Sequence, residues 1–168
     1  MKRLKHLLIV TTVLVACIGG DQATKYVAKE YLGDGGLVSL LGGTLRLEYA
    51  ENAGAFLSLG ASLPGHWRDY IFIAGVALVL TAILLHLLFK PSSHLAGTLA
   101  LALICGGGFS NLLDRVRYEG RVVDFLNVGL GPVRTGIFNV ADMAIMAGVV
   151  LLIVQPLIAK GRRENARA

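Results

Sequence analysis

The sequence predicts a mainly α-helical integral membrane protein with four transmembrane helices and a small β-hairpin between the first two. The mean hydropathy is +0.67, and only 16% of the 168 residues are charged, which is unlike a soluble globular protein. Four apolar runs approach the roughly 20 residues that a helix needs to cross a bilayer. The length predicts a single membrane-embedded domain over residues 1–168.

The four apolar runs predict the positions of the spans. They are Leu7–Val27, Tyr70–Phe89, Leu95–Leu113 and Ile137–Ile158. The second run ends at Lys90-Pro91, a basic anchor followed by a helix terminator. Residues 91–94 then leave room only for a turn between antiparallel helices. We expect the last helix to end at Gln155-Pro156 or shortly beyond, followed by a basic tail.

The N-terminus also has features of a cleaved leader. Its basic head is followed by an apolar run, and Leu14–Cys17 reads LVAC, the form of a lipobox that would make Cys17 a lipidated N-terminus. Three further apolar runs follow, however, and the helical pattern continues past Gly20. Asp21 and Lys25 are four residues apart in the favourable acid-first order. These features favour an uncleaved first span.

The polar stretch at about residues 36–60 predicts a β-rich insert. Leu37–Leu41 and Thr44–Ala50 have strand character, and Gly42-Gly43 between them suits a tight hairpin turn. The following segment, ENAGAFLSLG, suits either a binding loop or a re-entrant or interfacial packing segment. Another strand is predicted over Arg121–Val128.

Charge and cysteine usage exclude several classes of protein. The net charge of +5 is spread over tails and short loops, which does not indicate nucleic-acid binding. Cys17 and Cys105 lie inside apolar runs and are expected to be buried thiols. No Cys/His spacing suits a metal, so we expect no cofactor. Basic residues are densest in the two tails and the short loop, which predicts cytoplasmic termini.

Two carboxylates in apolar settings are the candidate chemistry. Asp124 lies in VVDF, and Asp142 lies in FNVAD at the start of the last apolar run. An ionisable residue in a membrane segment is a functional-site hypothesis by default. Two carboxyl groups brought together would not both ionise easily, which is the chemistry of an aspartic peptidase. The structural alternative is that Asp142 only caps its helix and Asp124 only pairs with Arg121 or Arg115.

Five motifs in order between the predicted spans carry a resemblance to a known family. They are DQATK at 21–25, NAGAF at 52–56, GGGFSNLLDR at 106–115, VVDF at 122–125 and FNVAD at 138–142. Together they resemble the lipoprotein signal peptidases, the type II or prolipoprotein signal peptidases of bacteria. Three departures are Phe56 one place early before Leu57, Ser110 where glycine is usual, and Met143 where serine is common.

The resemblance implies a four-helix inner-membrane enzyme with a small extracytoplasmic β-cradle and a short interfacial helix. It implies an aspartic endopeptidase that removes signal peptides from diacylglyceryl-modified prolipoproteins, cutting before the lipidated cysteine. Asp124 and Asp142 would be catalytic. The residues that would bind substrate or support the pair are Asn52, Gly54, Asn111, Arg115 and Asn139. Asp21 and Lys25 would brace the first helix, and Asp114 is expected to form an ion pair with Arg115 or brace a loop. Membrane lipids and inhibition by globomycin-like cyclic peptides are implied, and a monomer is expected.

Rival classes of function make different demands on the sequence. A serine peptidase using Ser110 would need a histidine, but His94 lies sixteen residues away on the same predicted helix, roughly 24 Å at the α-helical rise. A presenilin-like peptidase would need GxGD, whereas residues 129–132 read GLGP. A small transporter subunit or membrane chaperone would use the polar cluster as a solute path, and Asp-to-Asn substitutions would then abolish no peptidase activity.

Overall fold

The fold is mainly helical, with a small antiparallel sheet. The structure, a computed structural model, describes residues 2–54, 67, 70–90 and 95–165. The helices over these residues are α1 (Lys2–Leu32), α2 (Val76–Phe89), α3 (Leu95–Arg117) and α4 (Val140–Asn165). The strands are β1 (Leu37–Leu40), β2 (Leu45–Asn52), β3 (Val122–Leu130) and β4 (Val133–Arg134). A π-helical segment, Tyr70–Gly75, leads directly into α2.

The helices differ in how well they satisfy the requirements of a membrane span. Within the described ranges, two segments are long and apolar enough to cross a bilayer by length and composition, Arg3–Leu32 and Leu95–Arg117. Two shorter apolar helices are Ile73–Phe89 and Val140–Pro156. Both α1 and α3 extend beyond the predicted apolar runs, because helical hydrogen bonding continues into polar residues that hydropathy does not count. The polar residues of DQATK and NLLDR therefore lie on helices.

The last helix does not coincide with the apolar run Ile137–Ile158 from which the span was predicted. Helix α4 begins at Val140 rather than Ile137 because Phe138 pairs with Leu126, and its N–H donates to the Leu126 carbonyl at 2.8 Å. At the other end, α4 continues past Pro156 to Asn165. Proline in a helix interior removes one hydrogen bond and crowds the carbonyl four residues earlier, but the helix continues past Pro156.

The sheet has the order β1-β2-β3-β4, and each pair of neighbours is antiparallel. The predicted hairpin is confirmed, but its two-residue Gly-Gly turn is not. Leu40 pairs with Leu45, so the loop contains four residues, and Leu41, Gly42 and Gly43 have φ values of 52°, 63° and 89°. Strand β2 also continues beyond Ala50 to Asn52. Residues 55–60 of the predicted insert, with Phe56 and Leu57, lie outside the described residues.

A β-bulge determines which way the side chains of β3 point. The successive N–H groups of Phe125 and Leu126 both donate to the Phe138 carbonyl oxygen, at 3.0 and 2.8 Å, as in a β-bulge. Phe125 packs in one buried cluster with Ala28 and Leu32 of α1, and Leu126 packs against that cluster. Asp124 precedes the bulge, and successive strand residues point to opposite faces. The Asp124 carboxyl therefore lies on the other face of β3 from the Phe125 ring.

Helix α3 contacts a different helix with each of its three consecutive glycines. A Cβ atom would meet Cys17 of α1 at Gly106, the Ala141 carbonyl of α4 at Gly107, and the Leu80 side chain of α2 at Gly108. The missing side chains allow these close approaches. The middle contact places α3 against the first turn of α4, where Asp142 lies.

We expect Gly107→Ala to destabilise the protein by about 1–3 kcal/mol, as other overpacking substitutions do. The added Cβ would collide with the Ala141 carbonyl oxygen and lie 2.9 Å from Cγ1 of Ile145. Thermal unfolding in detergent measures the loss. Gly19→Ala is the matched control, since a Cβ there meets nothing within 4 Å and alanine favours the helix. Equal unfolding temperatures for the two variants would contradict the close-contact argument.

Candidate active site

Buried polar side chains from α1, α3, α4 and the sheet meet at one end of the helices. The buried polar or charged residues in this region are Asp21, Lys25, Ser110, Asp114, Arg115, Asp124, Asn139 and Asp142. A buried polar group is costly unless it is hydrogen-bonded. These residues therefore depend on their partners for their positions, and most of the polar side chains that the sequence singled out are among them.

Asp142 is held by the first turn of α4. The Asp142 N–H donates to Oδ1 of Asn139 at 2.9 Å, and the Asn139 N–H donates to Oδ2 of Asp142 at 3.2 Å. This reciprocal arrangement is a capping box. The alternative interpretation, that Asp142 caps its helix, is thus correct in that Asp142 does take part in the cap. Its other oxygen, Oδ1, accepts from Nδ2 of Asn111 at 2.9 Å.

Asp124 is bound by two asparagine amides. Its Oδ1 accepts from Nδ2 of Asn139 at 2.6 Å, and its Oδ2 accepts from Nδ2 of Asn52 at 3.0 Å. The residue is 2% exposed. The alternative pairing with Arg121 is wrong, because Arg121 lies against Glu51 with Nη1 to Oε2 at 2.9 Å. Asp124 therefore lies in a site built from amide donors.

Two asparagines connect the carboxyl groups. Asn139 donates to Asp124 while it caps the helix that carries Asp142. Asn111 donates to Asp142 and accepts from Nδ2 of Asn139 at 3.1 Å. The Asn139 amide thus contacts both aspartates, the Asp124 carboxyl and the Asp142 N–H. The sequence separation of eighteen residues is closed by the chain turning back from β3 toward α4.

The environment of Asp124 favours its protonated form. Burial is the largest cause, and repulsion by the Asp142 carboxylate adds to it, so the pKa of Asp124 rises from its usual 3.8 to about 6. The hydrogen bonds from Asn52 and Asn139 oppose part of this rise. A carboxyl group with such a pKa can hold a proton or release it near neutral pH.

We expect stability to fall as pH rises through the window from about 4 to 6. In that window Asp124 is protonated in the folded protein but ionised in the unfolded chain. Raising the pH therefore lowers the free energy of unfolding, and this loss is complete above pH 6. At about 1.4 kcal/mol per pKa unit, it amounts to about 3 kcal/mol. The measurement is the unfolding free energy of wild type minus that of Asp124→Asn across this range. A difference that does not change with pH would contradict the raised pKa.

Lys25 is the buried cation of the network. Its Nζ lies 2.7 Å from Oδ2 of Asp21, 2.8 Å from Oδ2 of Asp114 and 2.8 Å from Oδ1 of Asn111. The predicted Asp21–Lys25 pair is confirmed. Asp114 was expected either to pair with its neighbour Arg115 or to brace a loop, and it pairs with Lys25 across the α1–α3 interface. Asp114 also braces the sheet, because its Oδ2 accepts from the Val123 N–H at 3.1 Å.

Asp21 extends the network to α4. Its Oδ1 accepts from the Ala141 N–H at 2.8 Å, and its Oδ2 accepts from the Ser110 hydroxyl at 2.7 Å. Helix α4 therefore begins with N–H groups bound by Asn139 of its own cap and by Asp21 of α1. An anion at a helix N-terminus is also favoured by the helix dipole. Asp21 contributes directly to the position of Asp142.

Arg115 joins α3 to the segment that follows β2. Its Nη2 donates to the Gly54 carbonyl at 2.6 Å and its Nη1 to the Gly120 carbonyl at 2.8 Å. The Gly54 N–H in turn donates to Oδ1 of Asn52 at 2.9 Å. This fixes the Asn52 amide so that its Nδ2 faces Asp124. Asn52, Gly54 and Arg115 thus belong to the site through one chain of contacts.

Gln22 was missing from the predicted site. Its Nε2 donates to Oδ1 of Asp114 at 2.7 Å and to the Ser110 hydroxyl at 3.1 Å. Its spacing was a usable signal, because Gln22 and Lys25 are three residues apart and therefore neighbours on one helix face. Ser110 both accepts from Gln22 and donates to Asp21, so its hydroxyl is occupied in the brace. The serine-peptidase alternative is not supported by this arrangement.

Helices with exposed apolar side chains and two buried carboxyl groups linked by an asparagine fit one class of protein, a membrane peptidase of the aspartic type. Within the described ranges, no group of three or more His, Cys, Asp or Glu residues is arranged to hold a metal ion.

Known proteins of similar sequence and structure identify the family. A model of the family described as signal peptidase (SPase) II matches residues 13–158. A lipoprotein signal peptidase of Syntrophus aciditrophicus (strain SB) is 32% identical over 165 residues, covering 98% of this chain and 100% of its own length. One from Actinobacillus succinogenes (strain ATCC 55618 / DSM 22257 / CCUG 43843 / 130Z) is 41% identical over 146 residues, covering 86% and 87%. A solved bacterial membrane enzyme is 26% identical and superposes with a TM-score of 0.75, covering 94% of this chain and 90% of that one.

The chain therefore belongs to the signal peptidase II family. It is a bacterial membrane protease that removes signal peptides from prolipoproteins. The resemblance given by the five motifs is confirmed.

Proposed function

We propose that Asp124 and Asp142 are the catalytic pair and that they cut diacylglyceryl-modified prolipoproteins just before the lipidated cysteine. The observation that carries the assignment is the link through Asn139, which hydrogen-bonds the Asp124 carboxyl and caps the helix turn bearing Asp142. One acidic group from a strand and one from a helix are thereby held by the same asparagine. This assignment specifies which residues carry out the family's peptidase activity.

The reaction is a direct attack of water on the scissile carbonyl. One aspartate takes a proton from the water, whose oxygen bonds to the carbonyl carbon, while the other aspartate, protonated, hydrogen-bonds the carbonyl oxygen. The tetrahedral intermediate then collapses, the C–N bond breaks, and a proton passes to the leaving amine. The peptide is hydrolysed without an acyl-enzyme. A pair of carboxyl groups of which one is ionised and the other protonated satisfies this scheme.

The neighbouring residues support the pair in different ways. Asn52 and Asn111 each donate to one carboxyl group, and Asn139 orients both. Arg115 and Gly54 hold Asn52, so they act on the site through it. The residues that hold the helices and strand carrying the aspartates are positioning residues, namely Asp21, Lys25 and Asp114.

The proposed setting is the bacterial inner membrane, crossed four times by spans near residues 7–27, 70–89, 95–113 and 137–158. Both termini would be cytoplasmic, which the density of basic residues in the tails supports. The active site would then lie at the outer face, where the β-cradle formed by the sheet and a short interfacial helix would meet a lipid-anchored substrate. The protein would act as a monomer in contact with membrane lipids, bind no nucleic acid and be inhibited by globomycin-like cyclic peptides.

The test is cleavage of one prolipoprotein presented with and without its diacylglyceryl group to the purified protein. We expect the lipidated form to be cut, with a mature product that begins at the lipidated cysteine, as read by mass spectrometry of the product. The unlipidated form should be cut far more slowly, since its cleavage site is not held at the membrane surface. Equal rates for both forms, or a cut at another bond, would contradict the proposed substrate.

A further inference from the structure

An apolar groove lies between the end of α1 and the sheet, outside the network of the two aspartates. Its volume is about 370 Å³, and its lining includes Ala23, Val27, Tyr31, Val38, Leu47 and Phe125. The Thr24 hydroxyl donates back to its own helix, to the Gly20 and Asp21 carbonyls at 3.1 and 2.8 Å. The groove therefore offers hydrocarbon contact with few polar groups to direct a ligand.

The groove and the Asp124 carboxyl lie on opposite faces of β3. Phe125 lines the groove, and it follows Asp124 directly in the strand, where successive side chains alternate. The bulge turns Leu126 to the same side as Phe125, so both pack toward α1. A peptide bond held between Asp124 and Asp142 is thus separated from the groove by the strand itself.

The groove opens onto α1 at Val27 and Tyr31, two lining residues that are themselves exposed. Only 11% of the most apolar stretch of this helix is buried, and large apolar side chains such as Val15, Val27 and Tyr31 are exposed. Across the groove, the edge strand β1 exposes Leu37, Val38 and Leu40. Tyrosines that lie beside apolar surface at the end of a span are typical of the membrane–water interface. Lipid that surrounds α1 would therefore reach the groove without leaving an apolar surface.

We propose that this groove binds one acyl chain of a bilayer phospholipid and so attaches the sheet to the membrane surface. The proposal rests on the membrane placement proposed above. The lining favours hydrocarbon, because burying apolar groups away from water is the main source of such affinity. The separation from Asp124 favours a bilayer lipid over the acyl chains of the bound substrate. The opening onto α1 supplies the route by which the chain enters.

The experiment uses the full chain in nanodiscs of phosphatidylcholine doped with phosphatidylcholine that carries a diazirine in the middle of one acyl chain. After illumination, mass spectrometry maps the labelled residues. We expect Val38 and Leu47 to be labelled. Val27→Trp fills the groove and should remove most of that label. Val15→Trp is the matched control, because Val15 is exposed on the same helix and does not line the groove, and it should leave the label unchanged.

Three outcomes would overturn the proposal. They are absence of label at Val38 and Leu47 in the wild type, equal loss of label in both tryptophan variants, and label at these residues only when the diazirine is carried by the substrate's own acyl chains. Ala23→Leu, a smaller filling change, gives a second test if Val27→Trp unfolds. Asp124→Asn should keep the lipid label, so a failure of the catalytic assignment appears in cleavage and not in labelling.

Discussion

Asp124→Asn and Asp142→Asn are each expected to lower the cleavage rate on the order of 10⁴-fold, as the loss of an acid–base group does. Both oxygens of Asp124 accept hydrogen bonds, from Asn139 and Asn52. An asparagine amide at this position can still accept one of them but can no longer exchange a proton with water or substrate. At Asp142, the capping role survives in part in the asparagine variant, while the proton exchange is lost. The measurement is single-turnover cleavage of a lipidated prolipoprotein in detergent.

The matched control for these variants is Asp34→Asn, because Asp34 is exposed in the turn after α1 and the change in formal charge is the same. We expect Asp34→Asn to cleave at the wild-type rate. An Asp124 or Asp142 variant that unfolds at the wild-type temperature and retains the wild-type rate would remove that residue from the catalytic pair. A transporter subunit or membrane chaperone would show no peptidase activity in any of the proteins, wild type included.

The sequence was sufficient to predict many members of the polar cluster, because each motif signals its polar residues through near neighbours in the chain. Asp124 and Asp142 are conspicuous because ionisable residues are rare in apolar runs, and Asn139 is three residues before Asp142, the spacing of a capping box. The helical pairing of Asp21 with Lys25 follows from the period of an α-helix. Each of these inferences needs only neighbours within about one helical turn.

The contacts that the sequence did not predict depend on tertiary packing. Asp114 was expected either to pair with Arg115, its neighbour in sequence, or to brace a loop, and it pairs with Lys25 from another helix. The bulge at Phe125–Leu126 depends on the Phe138 carbonyl, which no local pattern indicates. The three glycines of α3 predict close approach, but the neighbours that approach them are determined by the fold. Such partners are far apart in sequence, so periodicity and spacing carry no information about them.

The second large effect is expected from Lys25→Met. Lys25 donates to two carboxylates, Asp21 and Asp114, and its side chain is 4% exposed. Removing one partner of a buried ion pair leaves an uncompensated charge and costs about 3–5 kcal/mol, which corresponds to a fall of about 10 °C in Tm for a chain of this size. Thermal unfolding in detergent measures the fall. Lys29→Met is the control, since Lys29 is exposed one turn later and its Nζ lies over the face of the Tyr118 ring.

Lys25→Met should also reduce the cleavage rate. This effect arises from the position of Asn111 and can be distinguished from the loss of stability. Lys25 donates to Oδ1 of Asn111, which fixes the amide so that Nδ2 faces Asp142. Without the cation, the amide can rotate and the hydrogen bond to Asp142 is weakened. We expect Lys25→Met combined with Asp114→Asn to recover part of the Tm, because one uncompensated charge is gone, but not the cleavage rate, because Asn111 stays unfixed. Recovery of both the Tm and the cleavage rate would show that Lys25 acts on stability alone. Recovery of neither quantity would show that Asp114 is not the charge that Lys25 compensates.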